Sequence, residues 1–261
     1  MKVRVITATR GDSPFFGEMA ASVLAAAPAA DHVVICPASR FPTAEKNQPI
    51  RFFAEDKPGL YAALNQGCRP AGDWDASTAL NDDDLLLAPG FGCAVQELER
   101  HAEIDVVYGR VRLIDSRGEI LGAQPVARRA GDIEALLVRG IMPLAQPGMV
   151  VRRNLIERLG GFDEAYQLAG DLDFFVRALL SGARFLFVNA WVASFRLHAG
   201  QLSKRRAELE AEIERAVRPL AGRPGRLAAW WRFRRDNLGV YFDRVRRHGW
   251  MSMRELYDRT E

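Results

Sequence analysis

Cysteine is sparse in this 261-residue chain: Cys36, Cys68 and Cys93 are all it holds. The number is odd and no pair has C-x-x-C spacing. That argues against a disulfide framework or a zinc cluster and fits a reducing cytoplasm. Lysine is nearly as scarce, with four of the 36 basic residues; the Arg excess is read as compositional bias first and function second. No run approaches the ~20 apolar residues of a membrane span. The longest candidate, residues 19–30, is broken by Ser22 and Pro28. Met1-Lys2-Val3-Arg4-Val5-Ile6 reads as a strand and lacks a signal peptide's apolar core and cleavage site. Internal repeats and low-complexity linkers are missing too. What is present, 48% hydrophobic and 26% charged residues, suffices for one large domain or a domain with an appendage. It excludes a mainly disordered chain.

The net charge of +3 hides an asymmetry. Residues 203–261 carry 15 Lys and Arg against 9 Asp and Glu, while the rest carries 21 against 24. A weakly acidic body bears a basic tail.

Residues 2–9 are apolar and β-branched and predict a first strand. Residues 14–27 suit a helix, with Ser13 as N-cap and Pro14 at the first helical position. Strands follow at 32–36, 50–53 and 77–80, helices at 59–68 and 91–101. The alternation predicts an α/β fold with a mostly parallel, Rossmann-like sheet flanked by helices. Further on, strands are expected at 105–115, from Ile120, at 149–152, at 184–188 and at 191–198. A brief helix over 154–159 is stopped by Gly160-Gly161, and a clear one over 171–180 by Gly182. From Ser203 the chain turns helical and Arg-rich, broken near Gly222-Arg223-Pro224-Gly225. The expected division is a domain over 1–202 and a basic helical extension over 203–261.

Asn81-Asp82-Asp83-Asp84 falls where a parallel strand ends, the edge at which open α/β sheets bind ligands. Three adjacent carboxylates repel one another and need a counter-charge or full solvation. A divalent cation carrying a diphosphate would supply the first. A solvated loop capping the next helix would supply the second. The triplet alone leaves both open.

The triplet followed by an apolar run and Pro89-Gly90 resembles the D-x-D region of family 2 glycosyltransferases of the GT-A fold. Upstream, Glu55-Asp56-Lys57-Pro58-Gly59-Leu60-Tyr61, running on to Asn65-Gln66-Gly67, is similar to that family's donor-side segment. Val107-Tyr108-Gly109, Gln146, Val151-Arg152-Arg153, Leu159-Gly160-Gly161-Phe162-Asp163-Glu164, Gly170-Asp171-Leu172-Asp173, Arg177 and Phe195-Arg196-Leu197-His198 follow in the family's order. Each piece is weak alone; the ordered set, over about residues 2–203, is specific.

The resemblance implies a GT-A (nucleotide-diphospho-sugar transferase) fold and an inverting, hexosyl-type transfer. The donor would be a nucleotide-sugar. The acceptor would be a saccharide or lipid-linked hydroxyl in bacterial surface-polysaccharide or glycoconjugate synthesis. The cofactor would be Mg²⁺ or Mn²⁺. It places Asp84 and His198 at the metal, with Asp82 or Asp83 joining Asp84 in holding it on the diphosphate. Thr7, Ala8, Thr9, Arg10, Asp56, Lys57 and Asn65 fall at the donor. It makes Asp171 the base that takes the acceptor's proton. On the residues alone, Asp171 is also an ordinary first-turn acid favoured by the helix dipole. Asp173 lies four residues before Arg177 and reads as half of an i,i+4 ion pair. Period-two alternation sets Arg196 and His198 on one strand face, suited to phosphate oxygens and metal respectively.

Several positions depart from the family. Arg10 and Gly11 replace its Tyr and Asn. Val34-Ile35-Cys36-Pro37 lacks the acid that reads the nucleobase. Arg110 stands where an Asp is frequent, and Ala145 where His often precedes Gln146. These touch donor or acceptor selection more than the basic chemistry. A catalytically degenerate module that binds sugar-nucleotide or scaffolds an assembly is the alternative. A dehalogenase-like phosphatase is excluded, because Thr7-Ala8-Thr9 replaces its nucleophilic D-x-D. The Trp-, Tyr- and Arg-rich tail is expected to pack on the body or on a second copy. Peripheral contact with an anionic membrane is the next reading. Nucleic acid is not expected as a partner, since the body is acidic and carries no such motif.

Overall fold

The computed structural model describes residues 1–40, 50–69, 71–201, 205–250 and 255. The expected boundary at 202/203 lies outside the described residues. Strands β1 (Val3–Ala8), β2 (Asp31–Cys36), β3 (Ile50–Ala54) and β4 (Ala76–Ala79) pair in parallel in the order β3-β2-β1-β4. Beyond β4 the sheet continues through β8 (Val150–Arg152), β6 (Val106–Ile114), β9 (Phe185–Arg196) and β5 (Leu85–Leu86), with β7 (Ile120–Ala123) paired to β6. β8, β5 and β7 run against their neighbours, and the other six strands share one direction.

Helices cover both faces. On one lie α1 (Phe16–Ala26) and α3 (Gly90–Arg100), which bury Met19, Val23, Phe91, Ala94 and Leu98 against Val107 and Val111. On the other, Tyr61 and Leu64 of α2 (Leu60–Cys68), Leu136 of α4 (Ile133–Leu137) and Leu155 of α5 (Arg153–Leu159) join Leu172 and Val176 of α6 (Gly170–Leu180) around Tyr108. Each of the Val, Leu, Met and Phe side chains among them contributes about 1.5–3 kcal/mol by leaving water. The chain ends in α7 (Arg206–Val217), α8 (Leu227–Asp236) and α9 (Leu238–His248). Ala216, Leu220 and Phe233 enter the core around Tyr108, and the Asn237 side chain exchanges two 3.0 Å hydrogen bonds with the Val126 backbone. These helices are packed on the body.

Two expectations change. α1 starts at Phe16 rather than Pro14, without a side-chain cap. Ser13 instead accepts from Phe15 N and donates to the Asp82 carbonyl, both at 3.3 Å, so it ties the chain to the acidic turn. The two strands expected near residue 190 are one strand, β9. Between Phe187 and Trp191 it advances four residues while β6 advances two, from Tyr108 to Arg110. The interruption in the sequence pattern is a bulge.

Candidate active site

The acidic turn leaves the C-terminal end of β4 and lies beside the end of β1. Thr9 Oγ1 donates to Asp82 and accepts from Gly11 N at 2.9 Å. Burial raises the Asp82 carboxyl, against the Thr9 hydrogen bond. Asp83 Oδ2 lies 2.9 Å from His198 Nε2, with both side chains partly open to solvent.

Asp84 is fully buried. Its Oδ1 accepts from the Arg196 backbone N at 3.0 Å and its Oδ2 from Asn81 Nδ2 at 3.3 Å. Burial first, then the neighbouring Asp83 charge, pushes its carboxyl well above the usual range. Both Asp84 oxygens are thus engaged by protein, and the carboxylate beside His198 is Asp83.

Arg196, matched in sequence to phosphate, has no exposure at all. Its guanidinium donates to Asp83 O at 2.9 Å, Asp115 O at 3.1 Å and Glu18 Oε2 at 2.6 Å. It stacks 4.5 Å from the Phe15 ring, which also lies 5.1 Å from the His198 ring. Arg196 therefore locks the turn from behind. Alternation placed it on the His198 side correctly, but period two carries no information about depth.

The chemistry of the Asp83–His198 pair fits Mg²⁺ or Mn²⁺. Carboxylate oxygen and imidazole nitrogen already converge, and such ions take one or two protein ligands, with substrate phosphates and water supplying the rest. Among the described residues, no group of three or more His, Cys, Asp or Glu side chains is arranged to hold a metal by itself.

Asp171 is in the first turn of α6 and half-buried. Tyr61 donates to its Oδ1 at 3.3 Å. Loss of solvent raises the Asp171 carboxyl, while helix backbone amides and Tyr61 oppose the shift. The result is a stronger base than an exposed aspartate. Arg177 Nε donates to Asp173 at 2.7 Å, the i,i+4 pair that the spacing implied.

The donor-side candidates divide. Thr7 is buried, with Oγ1 3.1 Å from His32 Nε2, and points into the core. Ala8 is half-buried and Arg10 exposed at the strand end. Asp56 pairs with Arg69 at 2.8 Å, and Lys57 with Glu164. Asn65 donates at 2.9 Å to both Phe162 O and Glu164 Oε1 and accepts from Phe162 N at 2.8 Å. Its amide is fully used in tying α2 to the loop before α6. That loop turns at Gly161, whose φ of 79° favours glycine and where a Cβ would strike Asn65 Oδ1.

Sequence reasoning missed Glu212. This α7 residue accepts from the backbone N–H groups of Gln167, Leu168 and Ala169 at 2.9, 2.8 and 2.8 Å, one residue short of α6. Burial opposes its charge, but the three amides outweigh burial and hold the carboxyl below its ordinary value. Nothing local marks it among the acids of α7; only the docking of α7 selects it. Tyr61 was visible only as part of a motif.

The arrangement is the GT-A fold. Over 98% of this chain and 78% of the other, it superposes on Staphylococcus aureus TarS 1-349 in complex with UDP-GlcNAc, with a TM-score of 0.65 and 16% identity. The UDP complex of the same fragment gives 0.63 at 17% identity, over 98% of this chain and 77% of that one. Against the longer TarS structure the chain spans 44% of the neighbour's length, with 97% of its own covered, a TM-score of 0.62 and 15% identity. No protein-family model and no curated protein matches the sequence.

Proposed function

We propose that this protein is an inverting, metal-dependent glycosyltransferase that moves a sugar from a nucleoside-diphosphate donor to an acceptor hydroxyl. The observation that carries the reading is the acidic turn at the end of β4. Asp84 is buried and locked there through Arg196, and Asp83 is left facing His198. Solved GT-A neighbours hold UDP-GlcNAc and UDP.

Asp83 and His198 would hold Mg²⁺ or Mn²⁺, whose chemistry there is neutralisation of charge on the diphosphate. Asp82, oriented by Thr9, lines the same turn. Asp171 accepts the proton of the acceptor hydroxyl as its oxygen bonds to the anomeric carbon. The bond from that carbon to the diphosphate oxygen breaks, and the nucleoside diphosphate leaves with the electron pair. Tyr61 orients the base, and the raised Asp171 carboxyl strengthens it. The acceptor in this reading is a saccharide or lipid-linked hydroxyl, and the setting is bacterial surface-polysaccharide or glycoconjugate synthesis.

Calorimetry with UDP-, GDP- and dTDP-sugars, with and without Mn²⁺, tests the reading on the wild type and Asp83→Asn. The expected result is metal-dependent binding of one donor, lost in the variant. Binding of no donor by folded protein overturns it. Metal-dependent binding without transfer to any acceptor favours the degenerate module.

A further inference from the structure

We propose that Arg110 and Arg112, gathered about Trp191, form with the nearby Arg128 a binding site for an anionic saccharide, a sugar carrying phosphate or carboxylate. The inference rests on the transferase reading, since it names a substrate class for that enzyme.

The cluster is built by the irregular pairing of β6 and β9. Where β9 bulges, Gly109 lets the strands close up: a Cβ there would lie 2.5 Å from Val192 Cγ1 and 2.9 Å from Ala190 O. The bulge sets Trp191 opposite Arg110. The Arg110 guanidinium carbon lies 3.9 Å from the indole centroid, and that of Arg112 lies 5.2 Å from it. A bulge that re-aims a side chain is a common device beside functional sites.

The charges are unbalanced. Arg110 and Arg112 are half-buried, and Arg128 is exposed and close enough for its charge to act on Arg110. Among the described residues none of the three guanidinium groups has an ion pair or a hydrogen bond, although most other arginine side chains of the fold do. Burial, then the charges of Arg128 and Arg112, pulls the Arg110 guanidinium below its ordinary value. Half-buried cations that repel one another cost stability unless an anion joins them. A guanidinium fork matches phosphate and carboxylate oxygens, and an indole edge offers apolar surface to a sugar ring.

The cluster is set back along β9 from the Asp83–His198 pair. Arg112 stands opposite Ser194, four residues short of His198, or roughly 13 Å of extended chain. Arg110 and Arg112 share the face of Tyr108, which packs in one core with Leu172 and Phe174 of α6. That is the side of the sheet on which Asp171 receives an acceptor.

The test is calorimetric titration of wild-type protein with glucose 6-phosphate, methyl glucuronide, neutral methyl glucoside and inorganic phosphate. At least one charged sugar should bind tenfold or more tighter than both methyl glucoside and inorganic phosphate. The stronger of the two charged probes distinguishes a phosphate from a carboxylate source. Arg110→Gln and Arg112→Gln should each reduce that preference at least fivefold. Arg128→Gln, at an exposed position where folding is not at risk, should reduce it severalfold. Equal affinity for charged and neutral sugars overturns the site, as does a preference that survives Arg128→Gln together with either other variant. Donor binding is read separately. Wild-type protein that binds no nucleotide-sugar yet shows the Arg-dependent preference refutes the transferase reading and leaves the anionic site standing.

Discussion

Asp171 meets opposing demands, because the burial that would strengthen it as the proposed base also makes its charge costly to the fold. Its folded carboxyl titrates above the unfolded value, so the folded state binds the extra proton between the two. Its stabilising contribution is present at low pH and lost as pH rises. At neutral pH the ionised group is a net cost. Asp171→Asn keeps an oxygen for the Tyr61 hydroxyl and removes that cost. Transfer should fall about a thousandfold while the melting temperature holds or rises, as a melt beside a transfer assay would show. In the wild type, the acid limb of kcat/KM should lie above that of an ordinary carboxylate, and activity should rise through it.

His32 works in the other direction. Burial drives its imidazole from 6.5 down to about 4. Between those values the unfolded chain takes a proton that the folded one refuses. Stability should therefore fall by about 3 kcal/mol as pH drops through that window. Denaturant titrations from pH 7 to 4 should show a flatter dependence for His32→Gln. The sequence made Asp171 conspicuous through its motif. It gave no sign that Asp84 would be fully buried, since an acidic triplet reads as a solvated turn until its partner amide, 112 residues away, is known.

At the scale of elements, reading short apolar runs bounded by turn residues made the alternation of β1 to β4 with α1 and α2 legible, because β1 and β2 are buried on both faces. It missed β5, two residues long and without a period of its own, and it split β9 at its bulge. Pairing of β6 with β9 depends on a missing side chain. Gly109→Ala should cost about 1–3 kcal/mol through contact with Val192 and Ala190, measured as a shift in urea midpoint. The loop before α6 depends on a single amide instead. Asn65→Ala removes three hydrogen bonds and should cost about 2 kcal/mol. That loss would appear as a lower melting temperature whether or not Asn65 meets a donor.

Across the whole molecule, the C-terminal helices complete the packed body. Glu212 fixes the backbone that leads into α6, and Arg232 pairs with Asp132 beside α4. Glu212→Gln should lower kcat severalfold with KM for the donor little changed, because the loop that aims Asp171 loosens while the acidic turn keeps its own lock. Its composition and charge marked this segment as basic and helical, and only packing showed what it holds. The exposed Trp231 and Phe242, 61% and 71% open, remain on its outer face, and no helix among the described residues is long and apolar enough to cross a membrane.

The lock at Arg196 also imposes an order on synthesis. A ribosome delivers β1 to β4 and the acidic turn long before it delivers the end of β9. Until then three neighbouring carboxylates have neither the amide nor the guanidinium that will bury one of them. The acidic turn of the nascent chain must stay hydrated and open, and its closure is timed by elongation. A chain stalled before residue 196 should be readily cleaved by protease around the turn, and one released after it should be protected.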